Sequence, residues 1–352
     1  MGARQVGKTT MLKQLFSGQP GVLWLNGGEL EVRSLFENAS TKRLQAVVGQ
    51  NNIVVIDEAQ RLKNIGLALK LFTDGIADVQ LIATGSSSFD LSNQVNEPLT
   101  GRKWQYSMFP LSFIELCDHH GLLEERGLLA QRLVYGCYPE VVMNPGDARA
   151  LLTEIADSYL YKDIFQLERI NKPDKIVKLL QALAFQVGSQ VSYSELGQMA
   201  GLDNKTVERY IVFLEQCYVV FRLGSFSRNL RNELKSSRKI YFYDNGVRNS
   251  VISDFRPAEM RSDIGALWEN YLVSERQKHL AYSGQAPNSW FWRTQQQNEI
   301  AYLEEGDGQL RAYEFKWNPA ANVKLPKKFL EAYPGSTFAV ISRDNYEEFL
   351  GV

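Results

Sequence analysis

The sequence predicts an α/β fold in which a mostly parallel sheet carries a phosphate-binding loop. Three observations indicate this fold. Residues Gly2–Thr9 follow the pattern G-x-x-x-x-G-K-[ST], and Asn52–Glu58 is an apolar run that ends in two carboxylates. Strand patterns at 21–27 and 79–88 alternate with helical patterns at 30–50 and 62–75, an order typical of a parallel sheet covered by helices on both faces.

The composition is that of an ordinary globular protein. The chain has 352 residues, 44% hydrophobic and 22% charged, which excludes disordered and collagen-like classes and suggests about two or three domains. With 39 basic and 40 acidic residues the net charge is −1, so a nucleic-acid partner would need a local basic patch. The three cysteines are far apart and no apolar run is long enough to span a bilayer. We therefore expect a cytoplasmic protein with no membrane partner.

Each residue type in the first motif has a chemical reason. Glycines let main-chain amides curl around phosphates, Lys8 reaches the β- and γ-phosphate oxygens, and the Thr9 hydroxyl ligates Mg²⁺. The alternative is a glycine-rich turn that precedes a helix by chance. The predicted ligand is ATP, and the candidate binding residues are Gly2, Ala3, Arg4, Gln5, Val6, Gly7, Lys8, Thr9 and Thr10.

A phosphate-binding loop normally follows a buried hydrophobic strand, but only Met1 precedes this one. We therefore expect the sheet to lack its first strand. The hypothesis is that the chain is truncated upstream, and that a segment rich in Val, Ile and Leu precedes it in a longer version.

The second motif supplies the carboxylates of the same site. The run Ile53–Ile56 is continuously apolar, as in a strand buried on both faces. At its end, Asp57 is predicted to hold Mg²⁺ directly or through water, and Glu58 to act as the general base for the attacking water. The alternative is a buried strand that ends in a solvated acidic turn.

Two further residues are candidates for the reaction. Ser86 follows the third predicted strand, where it would sense the γ-phosphate or the attacking water; a plain turn serine is the alternative. Arg102 would place a positive charge near the γ-phosphate, in its own subunit or a neighbouring one of a homo-oligomer. A surface salt bridge is its alternative.

The segments GARQVGKTT, IVVIDEAQ, ATGSSSFDLS and LTGRKWQYSMFPLSFIEL resemble an AAA-type family of bacterial and archaeal ATPases. Members of that family carry a carboxy-terminal domain of unknown function, related in places to archaeal ATPases and restriction-like nucleases. The resemblance extends over nearly the whole chain. It implies an ATP-binding, Mg²⁺-dependent ATPase.

The middle of the chain predicts a winged helix-turn-helix. Ser192–Glu195 has capping-box spacing, Gly201–Asp203 forms a turn, and a second helix begins at Asn204. A β-rich stretch at 218–223 is the predicted wing. DNA binding through residues 204–239 is one interpretation, since 222–239 hold six basic residues against one acidic. A packing or lid role is the other.

The last hundred residues predict an α/β tail. Glu269 lies on a predicted helix, and Glu314 and Lys316 alternate onto one face of a predicted strand. This pattern is similar to a PD-(D/E)xK nuclease core, in which a helix Glu, a strand Asp and an E-x-K pair bind metal. Ala301 stands where the strand Asp is expected, and Glu299 is two residues back. We therefore expect a degenerate site with weak or no nuclease activity.

Together these observations predict four parts. They are an ATPase core at 1–115, a helical lid or linker at 116–160, a winged helix-turn-helix at 161–240 and a nuclease-like domain at 241–352. The leading hypothesis is an ATPase that couples nucleotide state to the later domains. The alternative is a nucleic-acid-binding module in which the nucleotide is regulatory or vestigial.

Overall fold

The computed structural model describes residues 1–85, 99, 101–157, 173–227, 237–294 and 298–352. These residues form two compact units. The amino-terminal unit contains Met1–Phe109 with Gln216–Tyr218, and the carboxyl-terminal unit contains Pro110–Glu215 and Val219–Val352.

The amino-terminal unit contains a three-stranded parallel sheet in the order β1-β2-β3. Its strands are β1 (Val22–Asn26), β2 (Ile53–Asp57) and β3 (Gln80–Ala83). Its helices are α1 (Lys8–Leu15), α2 (Leu30–Glu37), α3 (Thr41–Val48) and α4 (Ile65–Gly75). A mixed α/β unit with a parallel sheet agrees with the predicted phosphate-loop fold.

Burial explains why β2 is a strand. Val54, Val55 and Ile56 are fully buried, so consecutive side chains on opposite faces of the strand all lie inside the protein. Val54 and Ile56 pack in one hydrophobic cluster with residues of α2, α3 and α4. The strand therefore delivers Asp57 from the centre of the core to the carboxyl edge of the sheet.

Residues near position 108 lie beside the start of the phosphate loop. The Met108 amide donates to the Met1 carbonyl at 2.8 Å, and Gly2 and Met108 form an isolated parallel bridge. A Cβ at Gly2 would collide with the Met108 carbonyl, so this approach requires glycine. Among the described residues of this unit, the sheet itself contains three strands.

The carboxyl-terminal unit is built on a seven-stranded mixed sheet in the order β10-β9-β8-β7-β5-β6-β4. Its strands are β4 (Gln190–Val191), β5 (Val220–Ser225), β6 (Arg238–Phe242), β7 (Asn288–Arg293), β8 (Glu299–Gly306), β9 (Gln309–Phe315) and β10 (Thr337–Ile341). Strand β5 pairs antiparallel with β6 and parallel with β7. The sheet thus continues across position 240, where the sequence predicts a domain boundary.

Two helices of this unit begin at polar residues that the sequence indicates: the Ser192 hydroxyl accepts from the Glu195 amide, and Asp203 accepts from the Thr206 amide at 3.0 Å. A third begins at Ser112, which forms a capping box with Glu115. The helices are α5 (Phe113–His120), α6 (Leu122–Gly127), α7 (Leu129–Tyr135), α8 (Pro139–Met143), α9 (Ala148–Ile155), α10 (Pro173–Phe185), α11 (Tyr193–Ala200), α12 (Asn204–Gln216), α13 (Asn245–Val251), α14 (Ile264–Tyr282), α15 (Lys327–Ala332) and α16 (Tyr346–Leu350).

Among the described residues, we find no helix that combines the length and apolar character needed to cross a bilayer. The longest helix, α14, carries charged and polar residues along its length, and ten of its residues are buried in the protein. Its Glu269 is one of the candidate residues of the predicted tail site.

Candidate functional site

The phosphate loop turns sharply into α1. Gln5 and Gly7 both have left-handed backbone angles, with φ of 58° and 94°, and Gly7 directly precedes the first helical residue, Lys8. The main-chain amides at the start of a helix are free to bind an anion. The loop therefore presents main-chain donors where a phosphate would bind.

Lys8 is largely buried and lies against its own loop. Its Nζ donates to the Gly2 carbonyl at 2.8 Å and also to the Ala3 carbonyl. Burial lowers the pKa of Lys8 to about 8, although the nearby Glu58 and Asp57 carboxylates act in the opposite direction. The ammonium thus has neutral partners inside the loop.

The two sequence motifs meet at a direct hydrogen bond. The Thr9 hydroxyl donates to Asp57 Oδ2 at 2.8 Å, although 48 residues separate them. The Thr84 hydroxyl donates to the other carboxylate oxygen, Oδ1. Sequence reasoning missed Thr84. Its position just after β3 could have indicated a contact with Asp57, because the carboxyl ends of parallel strands lie at the same edge of a sheet.

Glu58 lies beside Asp57 in a left-handed conformation, with φ of 52°, which is uncommon for a non-glycine residue. Its Oε2 accepts from Gln60 Nε2 at 2.9 Å and from Arg61 Nε at 3.1 Å. The side chain is 31% exposed. The carboxylate is thus oriented by two donors that the sequence analysis did not single out.

The donor set at this edge suits Mg²⁺. Magnesium prefers oxygen ligands and is usually held by one or two carboxylates together with substrate phosphates. Thr9 Oγ1 and Asp57 Oδ2 supply such oxygens from adjacent positions. The arrangement fits the predicted cofactor.

The two further candidates of this region have different outcomes. Ser86 lies outside the described residues. The Arg102 guanidinium forms an ion pair with Asp74, and both side chains are substantially exposed, 59% and 40%. This pair is the surface salt bridge considered above as the alternative; a role for Arg102 at a γ-phosphate stays a prediction.

In the carboxyl-terminal unit, two of the four residues of the predicted nuclease-like site, Glu269 and Glu299, contact the same lysine, Lys239. Lys239 Nζ lies 2.9 Å from Glu269 Oε1 and 2.6 Å from Glu299 Oε1. The Tyr241 hydroxyl also donates to Glu269 Oε1, at 2.7 Å. We call Lys239, Glu269 and Glu299 the acidic cluster. Sequence reasoning missed Lys239 here, because it was counted with the basic stretch.

The other two residues form a separate pair. Lys316 Nζ donates to Glu314 Oε1 at 2.7 Å, and the Ala301 amide approaches Glu314 Oε2 at 3.4 Å. At the position of the expected strand Asp, Ala301 is a buried methyl group. Among the described residues, no three His, Cys, Asp or Glu side chains are grouped so that they could hold a metal ion.

The predicted DNA-binding stretch is partly described. Three of its basic residues, Arg228, Arg231 and Lys235, lie outside the described residues. Arg222 forms an ion pair with Glu215 at 2.6 Å, and Arg238 lies 3.9 Å from Glu208. With Lys239 in the acidic cluster, the described cations of 222–239 all have acidic partners within the protein.

Comparison with known families identifies the region that contains the phosphate loop. Residues 1–117 match a family model described as an AAA domain. The match supports an AAA-type, ATPase-like family and suggests a nucleotide-binding function. The matched region, residues 1–117, contains Thr9, Asp57 and Glu58.

The later regions match families of unknown function. Residues 126–258 match the domain of unknown function DUF8612, and residues 264–349 match the domain of unknown function DUF4143. Lys239 lies in the first of these regions, whereas Glu269 and Glu299 lie in the second. The acidic cluster therefore joins residues from two family regions.

The chain is also similar to several uncharacterized proteins. One from Mycobacterium tuberculosis is 26% identical over 324 residues, covering 90% of this chain and 69% of the relative. One from Haemophilus influenzae is 25% identical over 276 residues, covering 71% of this chain and 68% of the relative. One from Methanocaldococcus jannaschii is 22% identical over 357 residues, covering 88% of this chain and 75% of the relative.

Proposed function

We propose that this protein binds ATP with Mg²⁺ at Gly2–Thr9 and hydrolyses it. The observation that carries the proposal is the 2.8 Å hydrogen bond from Thr9 to Asp57. It joins the end of the phosphate loop to the acidic strand end, so the two halves of a phosphoryl-transfer site lie together. The AAA domain match over residues 1–117 supports the same chemistry.

The residues of the site have separate tasks in this proposal. Main-chain amides of the loop bind the phosphates, and Lys8 turns from its loop carbonyls toward the triphosphate. Thr9 and Asp57 would hold Mg²⁺, and the bound ion would supply positive charge to the phosphate oxygens. Glu58 accepts a proton from the attacking water as its oxygen bonds to the γ-phosphorus and the bond to the β-γ bridging oxygen breaks, which yields ADP and phosphate.

We further propose that nucleotide state is coupled to the carboxyl-terminal unit, with a winged helix-turn-helix at 192–223 and a nuclease-like fold in the tail. The chain passes between the two units at 109–110, 215–216 and 218–219. Three covalent crossings offer a route by which a change in the AAA domain reaches the other unit. A cytoplasmic homo-oligomer in which Arg102 acts on a neighbouring site belongs to the same proposal.

A nucleic-acid-binding module with a regulatory nucleotide is the competing function. Its support is the pair of helices α11 and α12, whose caps and turn match a helix-turn-helix. The two functions are separable, because DNA binding that neutralises several phosphates weakens steeply with salt, whereas ATP turnover depends on Glu58.

Two variants and a matched control test the proposal. Lys8→Ala should abolish ATP binding measured by calorimetry, because the charge that meets the triphosphate is lost. Glu58→Gln should keep binding and lower kcat by about 10²- to 10⁴-fold, the usual contribution of a general base.

The control is Lys13→Ala, which removes an exposed lysine from the same helix α1 and should change neither quantity. If the wild-type chain shows no measurable ATP affinity, or if Glu58→Gln hydrolyses ATP at the wild-type rate, the proposed function is wrong.

A further inference from the structure

The metal that a nuclease-like tail would require does not fit this chain, and the reason lies in Lys239. We infer that Lys239 is a built-in cation that takes the place of a divalent metal between Glu269 and Glu299. The site is then closed to catalytic metal by a side chain of the protein itself. This inference is independent of ATP hydrolysis in the amino-terminal unit.

The position of Lys239 is the first support. The side chain is only 2% exposed, and its Nζ lies within 3 Å of one oxygen from each carboxylate. The two glutamates come from different elements, α14 and β8, and both contact this ammonium. A single buried cation bridging two carboxylates is the arrangement otherwise expected of a bound metal ion.

The partners of the carboxylates are the second support. Glu269 Oε1 also accepts from the Tyr241 hydroxyl at 2.7 Å, and Glu299 Oε2 lies 3.5 Å from an Arg293 nitrogen. Two cations and a phenol therefore face two carboxylates. When Arg293 is counted with the acidic cluster, two positive charges face two negative charges without an added ion. An entering divalent cation would have to displace a buried ammonium.

The charge state of Lys239 agrees with this role. Burial favours the neutral amine, but the Glu269 and Glu299 carboxylates outweigh it, and the net effect raises the pKa of Lys239. The group is therefore an ammonium throughout the physiological range. The Phe291 ring, with its centroid 5.5 Å from Nζ, adds a cation-π contact.

The remaining candidate ligands do not complete a metal site. Glu314 is paired with Lys316 at 2.7 Å, and Ala301 offers a methyl group where the nuclease pattern needs a carboxylate. An ammonium has no open coordination position for a water molecule, so it cannot activate water as a bound metal does. The acidic cluster thus keeps its carboxylates together without metal-dependent chemistry.

A Mn²⁺ titration of the full chain tests the inference. Mn²⁺ is added without nucleotide to a parent chain carrying Asp57→Asn, so that the amino-terminal site does not contribute. The free Mn²⁺ concentration is set to about 0.1 mM, because weak protein sites for divalent cations have dissociation constants of about 0.1–1 mM. At this concentration the parent should bind no Mn²⁺. Adding Lys239→Met to the parent should create one Mn²⁺ site, with an Mn²⁺ affinity at least about tenfold higher than that of the parent. Adding Glu269→Gln to this variant should remove the site again.

The matched control is Lys239→Arg, which keeps the positive charge and should bind no more Mn²⁺ than the parent. A parent chain that binds one Mn²⁺ through Glu269, or a folded Lys239→Met variant that gains no affinity, would overturn the inference.

If Lys239→Met does not fold, the inference is tested by the thermal unfolding midpoint of the parent, measured with and without Mn²⁺. A midpoint that is independent of Mn²⁺ supports the inference. A midpoint that rises with Mn²⁺, and no longer does so after Glu269→Gln, contradicts it.

Discussion

The two units each contain a largely buried lysine beside two acidic residues, but the hydrogen bonds of these lysines differ. Lys8 donates to two main-chain carbonyls, those of Gly2 and Ala3, and burial lowers its pKa to about 8. Lys239 donates to two carboxylates, and its pKa is raised because they outweigh the effect of burial.

The difference shows how similar residue types can form either a site that binds a ligand anion or a site whose charges are neutralised within the protein. An ammonium that bonds only neutral carbonyls lacks a full counter-charge, so it gains most from a ligand anion such as a triphosphate. An ammonium held by two carboxylates is already compensated and gains nothing from a ligand. We therefore assign binding to the amino-terminal site and internal neutralisation to the acidic cluster.

The largest expected effect concerns stability. Lys239→Met removes the buried ammonium that Glu269 and Glu299 share, while these two side chains are 20% and 33% exposed. Losing hydrogen bonds to charged groups costs about 1.5–3 kcal/mol. We expect a loss of that size in the free energy of unfolding of the carboxyl-terminal unit, measured by denaturant titration.

Lys316→Met is the matched control for this prediction. Lys316 pairs with Glu314, but its side chain is 37% exposed, and an exposed pair contributes about 1 kcal/mol or less. Equal losses in the free energy of unfolding for the two variants would show that the Lys239 ion pairs stabilise the unit no more than the exposed Lys316 pair does. That result would contradict the role assigned to Lys239.

The next effect is on the pH dependence of ATP affinity. In the free protein Lys8 loses its proton near pH 8, whereas a bound triphosphate favours the ammonium form. Affinity should therefore be constant below about pH 7.5 and fall at higher pH, by up to about tenfold per pH unit. Calorimetry between pH 7 and 9.5 should also show proton uptake on binding above pH 8.

Lys8→Arg sharpens this prediction, because a guanidinium stays charged throughout this pH range. Whatever its affinity, the variant should show a flat profile over the same interval. A wild-type affinity that does not change between pH 7 and 9.5 would mean that the Lys8 ammonium does not contact the nucleotide phosphates.

The smallest effect concerns the donors that orient Glu58. Arg61 and Gln60 bond the same carboxylate oxygen, at 3.1 and 2.9 Å, and Arg61 is half-exposed, so each bond is weak. We expect Arg61→Ala to lower kcat by about two- to fivefold with little change in KM, because the carboxylate is held less firmly. A change confined to KM would show that Arg61 contacts the nucleotide instead.

The sequence predicts well what depends on local pattern. The apolar run before Asp57 is a buried strand, and the polar residues Ser192 and Asp203 begin helices as expected. The meeting of Thr9 with Asp57 could be anticipated because both motifs have fixed places on a parallel sheet. These features follow from periodicity, capping and sheet topology.

Contacts that depend on the assembled fold could not be predicted. In the sequence Lys239 belongs to a basic stretch, and nothing local shows that β6 brings it to Glu269 and Glu299, 30 and 60 residues away in the chain. In the same way Arg222 and Arg238 count as free charge in the sequence but pair with acidic residues in the structure. Counting charges along the chain misses these partners because pairing is decided by tertiary contacts.

The most direct test of the contrast between the two sites is a count of bound Mn²⁺ on the wild-type chain by equilibrium dialysis, with and without ATP. The account predicts one Mn²⁺ per chain with ATP and none without it at about 0.1 mM free Mn²⁺, and Lys8→Ala should abolish the binding with ATP. Nucleotide-independent Mn²⁺ that is lost on Glu269→Gln, or no ATP-dependent Mn²⁺ at all, would contradict it.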